Sequence, residues 1–199
     1  MSLFEPYDDS KLQQNIKIAI KYATNIIGTK YQYWSYNLEN IFNEPMWASN
    51  DFPPLESEVI TKTINCSGLA NLMRRSVGLT VPGLDEKMEH PGGTGAWFQY
   101  LNERNVLYSF DYTLFFPIGT LFLRKYQSET DQGHISILYD LNSKGSLFST
   151  IIHSCSYSEF IEKEILNPGV TIKYNLGESY FFIQSGYYQY YCLPENWLI

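Results

Sequence analysis

Leu12, Ile16, Ala19, Ile20, Ala23 and Ile27 recur at three- and four-residue spacing, which places them on one face of a helix beginning at Ser10. Gln13, three residues after Ser10, gives that start the form of a capping box, and Gly28 supplies a C-terminal cap. A second run has the same period. Cys66, Leu69, Ala70, Met73 and Val77 share a face after an extended approach through Thr63-Ile64-Asn65, and this helix ends near Gly78. A third, shorter helix is expected over residues 96–105.

From Thr113 onward the pattern changes to short runs rich in Phe, Ile, Leu and Tyr, separated by Gly, Asn, Ser and Lys, the signature of antiparallel strands. Strands are predicted over residues 119–125, 133–139, 147–153, 170–174 and 186–193, with a turn at Asn142-Ser143-Lys144-Gly145. Ser156 or Ser158 is expected to cap a short helix running through Leu166 and ended by Asn167-Pro168-Gly169. Between the first two helices lie an aromatic segment, Tyr31-Gln32-Tyr33-Trp34-Ser35-Tyr36, and a long excursion over residues 37–61 with room for one helical turn. His90, just before Pro91 in a turn-rich stretch, reads first as a solvated loop histidine, with contact to substrate as the lesser alternative. Helices first and a compact sheet second, with no repeat and no sharp shift of composition, predict one α+β domain over residues 1–199.

Composition narrows the function classes. Hydrophobic residues at 44% and aromatics at 17% fit a folded chain with a sheet-rich core, and 199 residues suffice for it. A net charge of −7 disfavours a nucleic-acid binder, which would present a basic stripe to phosphates. Residues 1–10 carry Glu5, Asp8 and Asp9 and read as neither a secretory signal nor a transit peptide. The longest apolar stretch, Leu114 to Leu123, is broken by Pro117 and Gly119 and is too short to span a membrane. Three cysteines, none in a C-x-x-C motif, fit a reducing compartment, with the cytoplasm favoured. The oligomeric state is left open.

The candidate chemistry centres on Cys66. A thiol in the first turn of a helix lies near unpaired N–H groups and the positive end of the helix dipole, which favour the thiolate. Taken alone, such a cysteine equally fits a small buried hydrophobe. Two histidines alter that balance. His134 opens one predicted strand and His153 closes the next, so antiparallel pairing brings them to the same sheet edge. Together the three supply a nucleophile, a base and a group that orients the base.

The ordered set Gly28-Thr29-Lys30-Tyr31, Asn65-Cys66-Ser67-Gly68-Leu69, Pro117-Ile118-Gly119-Thr120-Leu121-Phe122, Gly133-His134-Ile135-Ser136-Ile137-Leu138-Tyr139 and Ile152-His153-Ser154 resembles the NlpC-type cysteine peptidases. The resemblance runs from about Ser10 to the C-terminus. It implies a papain-like α+β fold, with a helix-opening cysteine packed on a small antiparallel sheet. It further implies that Cys66 is the nucleophile, His134 the general base and His153 the residue that orients His134. Tyr31, Ser67 and Asn65 would shape the substrate site, beside Trp34 of the aromatic segment, and the backbone N–H of Cys66 would be an oxyanion donor. In that family an aspartate usually precedes the cysteine. Here Asn65 stands in its place, and Trp34 and Ser35 replace a common glycine pair, so the acyl chemistry carries over better than a cell-wall substrate.

The expected activity is therefore hydrolysis of an amide bond in a peptide or other amide-containing substrate through a thioester, with no cofactor and no metal. Three rivals stand beside it. One transfers the acyl group to an amine or lipid. Another keeps the fold as a catalytically silent peptide- or glycan-binding module with an aromatic groove. The third gathers Cys66, His134, His153 and Cys155 around zinc, against the usual close ligand spacing of such sites.

Overall fold

The structure, a computed structural model, describes residues 10–33, 52–88, 90–111, 113–128, 130–140, 150–156, 159–161, 164–166, 168–173 and 187–199. Their elements confirm an α+β architecture. Four helices are present, α1 (Ser10–Asn25), α2 (Glu56–Val59), α3 (Cys66–Ser76) and α4 (Thr94–Glu103). The strands are β1 (Lys30–Tyr31), β2 (Thr63–Ile64), β3 (Tyr108–Ser109), β4 (Leu121–Arg124), β5 (His134–Asp140), β6 (Thr150–Cys155), β7 (Glu159–Ile161), β8 (Glu164–Leu166), β9 (Gly169–Lys173) and β10 (Tyr190–Cys192).

The spacing of apolar residues along α1 and α3 is borne out except at Ile27, which lies beyond the end of α1 and is 38% exposed, and at Val77, a partly buried residue just past α3. Leu12, Ile16, Ala19 and Ala23 are buried on α1, and Leu69, Ala70, Leu72 and Met73 on α3. The two helices pack on each other, and α3 also packs on β5 and β6. Ser10 is already the first helical residue, so it does not cap α1 from outside; the residue before it lies outside the described set. Gly28, at φ +93°, follows the helix in the left-handed conformation that glycine adopts without strain.

The sheet is larger and more mixed than expected. Among the described residues it has eight strands in the order β2-β1-β9-β6-β5-β4-β10-β3. The central pairings are antiparallel, whereas β1 and β2 run parallel, with Lys30 opposite Thr63 and Tyr31 opposite Ile64. These two-residue strands leave no periodic trace in the sequence. They nevertheless join the aromatic segment to the approach to Cys66. A further difference lies at Glu159–Ile161 and Glu164–Leu166, where β7 pairs antiparallel with β8, Phe160 opposite Ile165, in place of the expected helix. Phe160, Ile161 and Ile165 are aromatic or β-branched, types that favour strands, and the serines before them do not impose a helix.

The central strand β5 is buried from His134 to Leu138, so it has a core on each side. Ile135 and Ile137 join the larger core of α1, α3, Trp97 and Trp197, and Leu138 joins a second cluster with Phe116, Phe122, Ile151 and Tyr188. Alternation along one strand thus sends His134 and Ser136 to the face that also carries Leu138. Arg74, only 4% exposed, ties α3 to the C-terminus. Its guanidinium donates to the carbonyl oxygens of Thr80 and Trp197 and to the Tyr100 hydroxyl. Arg74→Ala is expected to cost about 3 kcal/mol of stability, because it strands buried acceptors. A urea midpoint equal to that of the wild type would contradict this.

Candidate active site

Asn65 caps α3. Its Oδ1 accepts from the backbone N–H of Gly68 at 2.7 Å and from the Ser67 hydroxyl at 3.1 Å, satisfying one of the donors that a helix start leaves unpaired. Asparagine serves this role as well as aspartate does, without the charge. Cys66 is the first residue of the helix, and it is 4% exposed.

Near the Cys66 sulfur lie the backbone N–H groups of Ile135, Ser67 and Cys66 itself and the Thr94 hydroxyl. All four favour the thiolate. Burial outweighs them and pushes the thiol above the ordinary cysteine value. This corrects the expectation of a preformed thiolate: the helix start is where the sequence places it, but the strands and α4 close around the sulfur and exclude water. At rest Cys66 carries its proton.

The contact with Ile135 fixes the sulfur at the start of β5. Pairing between β5 and β6 begins with Ser136 opposite His153, and one residue earlier the Ile135 N–H serves the sulfur. This register makes His134 and His153 diagonal neighbours on one face of the sheet. Nε2 of His134 lies 3.0 Å from Nδ1 of His153, with both side chains buried and the ring planes at 84°. The expected meeting of the two histidines is therefore present. His153 is not the end of its strand, since β6 runs on to Cys155.

A cavity of about 450 Å³ opens beside the cysteine. Tyr31, Asn65, Cys66 and Ser67 line it, joined by His90, Thr94, Gln99, Tyr126, Gln132 and Gly133. Of the residues predicted for the substrate site, three reach the cavity wall, and Trp34 lies outside the described residues. His90 is partly buried on that wall, not a solvated loop residue. Tyr31 is held above the ordinary phenol range by burial, with the nearby Cys66 adding to the effect, so it meets the cavity as a neutral hydroxyl. Of the three free cysteines, Cys66 is the one on this wall.

No family model, curated protein or solved structure matches the chain. The site is thus judged on its own geometry.

Three contributors escaped the sequence reading. Thr94 starts α4 and lines the cavity beside Cys66. Gly133, at φ +75°, lets the chain pass close to β4 and to Thr94, whose Cγ2 would lie 2.8 Å from a Cβ placed there. The Gly-His pair at a strand start was the available signal for it. Tyr187 lies 5.8 Å from the His134 ring, centroid to centroid, and Arg124 sits 4.6 Å over its face. Burial, tempered by Arg124, pushes the Tyr187 phenol up to about 12. The Arg124 charge is answered by an ion pair with Asp131. Among the described residues no group of three His, Cys, Asp or Glu side chains is placed to hold a metal ion, and no helix is long and apolar enough to cross a membrane.

Proposed function

We propose that this protein is a cysteine hydrolase of amide bonds with an NlpC-type, papain-like arrangement, in which Cys66 is the nucleophile, His134 the general base and His153 its orienting partner. The observation that carries the reading is the buried His134–His153 hydrogen bond, on the strand that packs against the helix opened by Cys66. Use of Nε2 by His153 directs Nδ1 of His134 to the proton-transfer task.

In the tautomer this requires, Nε2–H of His134 donates to Nδ1 of His153. Nδ1 of His134 takes the proton of Cys66, and the sulfur attacks the carbonyl carbon. The tetrahedral oxyanion collapses as the C–N bond breaks, and the amine leaves with the proton from His134. Water, deprotonated in turn by His134, then hydrolyses the thioester to a carboxylic acid and restores the thiol. The backbone N–H of Cys66, at the helix start, is a donor for the oxyanion. A raised thiol suits this scheme: the base works during the reaction, as with a serine nucleophile, and no ion pair needs to stand ready. The described walls carry hydroxyl, amide and imidazole groups, which fits a polar amide-bearing acyl group as substrate.

Iodoacetamide tests the reading. The reagent is expected to modify Cys66 ahead of Cys155 and Cys192, which are 2% and 0% exposed, and to abolish amide hydrolysis in proportion. The rate should keep climbing beyond about pH 8.5, the free-thiol value. Hydrolysis that survives complete modification of Cys66 rejects the nucleophile; a rate that is already maximal near neutrality rejects the resting thiol.

A further inference from the structure

The hydrogen bond to His153 holds one nitrogen of the buried His134 ring and leaves the plane of that ring to other contacts, because the last torsion of histidine has broad minima. Tyr187 supplies such a contact. Its ring lies 5.8 Å from that of His134, centroid to centroid, at an interplanar angle of 59°. Arg124 on β4 stands opposite His134 in the β4–β5 ladder, so both side chains leave the same face of the sheet. The guanidinium carbon is 4.6 Å from the centroid of the Tyr187 ring, within range of cation–π attraction, and an ion pair with Asp131 holds the guanidinium. Tyr187 thus contacts both the base and an anchored cation.

The backbone beside Tyr187 is fastened as well. The N–H of Gln189 donates to the carbonyl of Leu123 at 3.1 Å, and its side-chain Oε1 accepts from the N–H of Lys125 at 3.1 Å. The Gln189 carbonyl accepts from the N–H of Phe110 at 2.9 Å. Leu123 and Lys125 flank Arg124 in the chain, so the tyrosine and the arginine are tied to the same stretch of backbone.

We propose that Tyr187, held by Arg124, is a positioning residue for the base: it fixes the plane of the His134 ring so that Nδ1 stays directed at Cys66. The proposal rests on Cys66 being the nucleophile and His134 its base. Neither Tyr187 nor Arg124 is on the described wall of the cavity, so their effect falls on proton transfer and not on substrate binding. Phenylalanine at 187 would keep the aromatic face, whereas leucine would fill part of the space without offering one. Methionine at 124 would keep an unbranched chain and remove the cation.

The test uses p-nitrophenyl acetate, a small uncharged acyl probe. Attack by the Cys66 sulfur breaks the ester C–O bond, releases p-nitrophenolate and leaves an acetyl thioester, while the thiol proton passes to His134. The burst of p-nitrophenolate at neutral pH gives the acylation rate, and peptide mass gives the site of acetylation. Loss of the aromatic contact predicts roughly tenfold slower acylation of Tyr187→Leu, with the probe concentration at half-maximal rate unchanged. Tyr187→Phe should stay within about twofold of wild type whatever its melting temperature, which separates positioning from stability. Arg124→Met is expected to be about threefold slower. A Tyr187→Leu protein as fast as wild type overturns the proposal, and so does a Tyr187→Phe protein as slow as the leucine variant. Should Tyr187→Leu fail to fold, Arg124→Met decides, since Arg124 is partly exposed, and a wild-type rate in that variant overturns the proposal. Folded wild type that is never acetylated at Cys66 overturns the nucleophile reading and this inference with it. Wild type acetylated at Cys66, with Tyr187→Leu equally fast, overturns the inference alone.

Discussion

Cys66→Ala is expected to lower amide hydrolysis by at least about 10³-fold, since members of a nucleophilic triad act as a unit and little is left once the nucleophile is gone. The folded state should hold. Cys66 contributes a small buried side chain at the helix start, and the Asn65 cap on Gly68, which secures that start, does not involve the sulfur. Removing one buried sulfur costs on the order of 1–2 kcal/mol, within the reach of a domain of this size. Steady-state hydrolysis and a thermal melt, run on the same preparation, separate the two effects. Full activity in a folded Cys66→Ala protein would eliminate the thiol mechanism, whatever the histidines do.

The second large effect concerns His153. This residue is fully buried and hydrogen-bonded to His134, so in the proposed mechanism it acts through His134. His153→Leu is expected to reduce kcat by about 10²- to 10⁴-fold, the range over which an oriented base contributes. His153→Asn places an acceptor oxygen near the former Nδ1 position and should recover most of that loss. A purely structural role would not distinguish the two in this way, because leucine fills the buried space at least as well. The pH–rate profile adds a second discriminator: loss of the orienting acceptor lets the His134 ring adopt the wrong tautomer, which changes the ascending limb. Equal activity of the leucine and asparagine variants would remove His153 from the mechanism.

Much of this site is legible in the sequence because it depends on local period and strand order. The three-and-four spacing that ends in Met73 and Val77 is enough to place Cys66 at a helix start. The alternation through His134-Ile135-Ser136-Ile137 and Ile151-Ile152-His153 is enough to make the histidine strands neighbours on one face. What escaped depends on packing between distant segments. Whether a helix-opening thiol is acidic turns on how much water reaches it, and that is decided by β5 and α4, 28 or more residues away in the chain. Thr94 follows a pair of glycines, where threonine reads as an ordinary helix start; only the fold brings it to the cavity beside Cys66. The β7–β8 pair shows the same limit on a smaller scale. Serines followed by Glu and Lys suggest a capped helix, but Phe160, Ile161 and Ile165 settle in an antiparallel ladder. Asn65 is the instructive intermediate case. Its place at the end of an extended approach reads as a helix cap, and the structure gives it that role through one side-chain oxygen.

The donors around Cys66 differ in how evolution or an experimenter can reach them. The Thr94 hydroxyl is encoded by one codon and is lost in a single step. The amides of Ile135, Ser67 and Cys66 belong to the main chain, and exchanging their side chains leaves them in place; only proline removes such a donor, and at Ile135 it would also distort a strand. Sequence drift can therefore erode the support of the sulfur by one arm while three stay outside its reach. A site built in this way can lose its peripheral groups and still keep the electrostatics around its thiol.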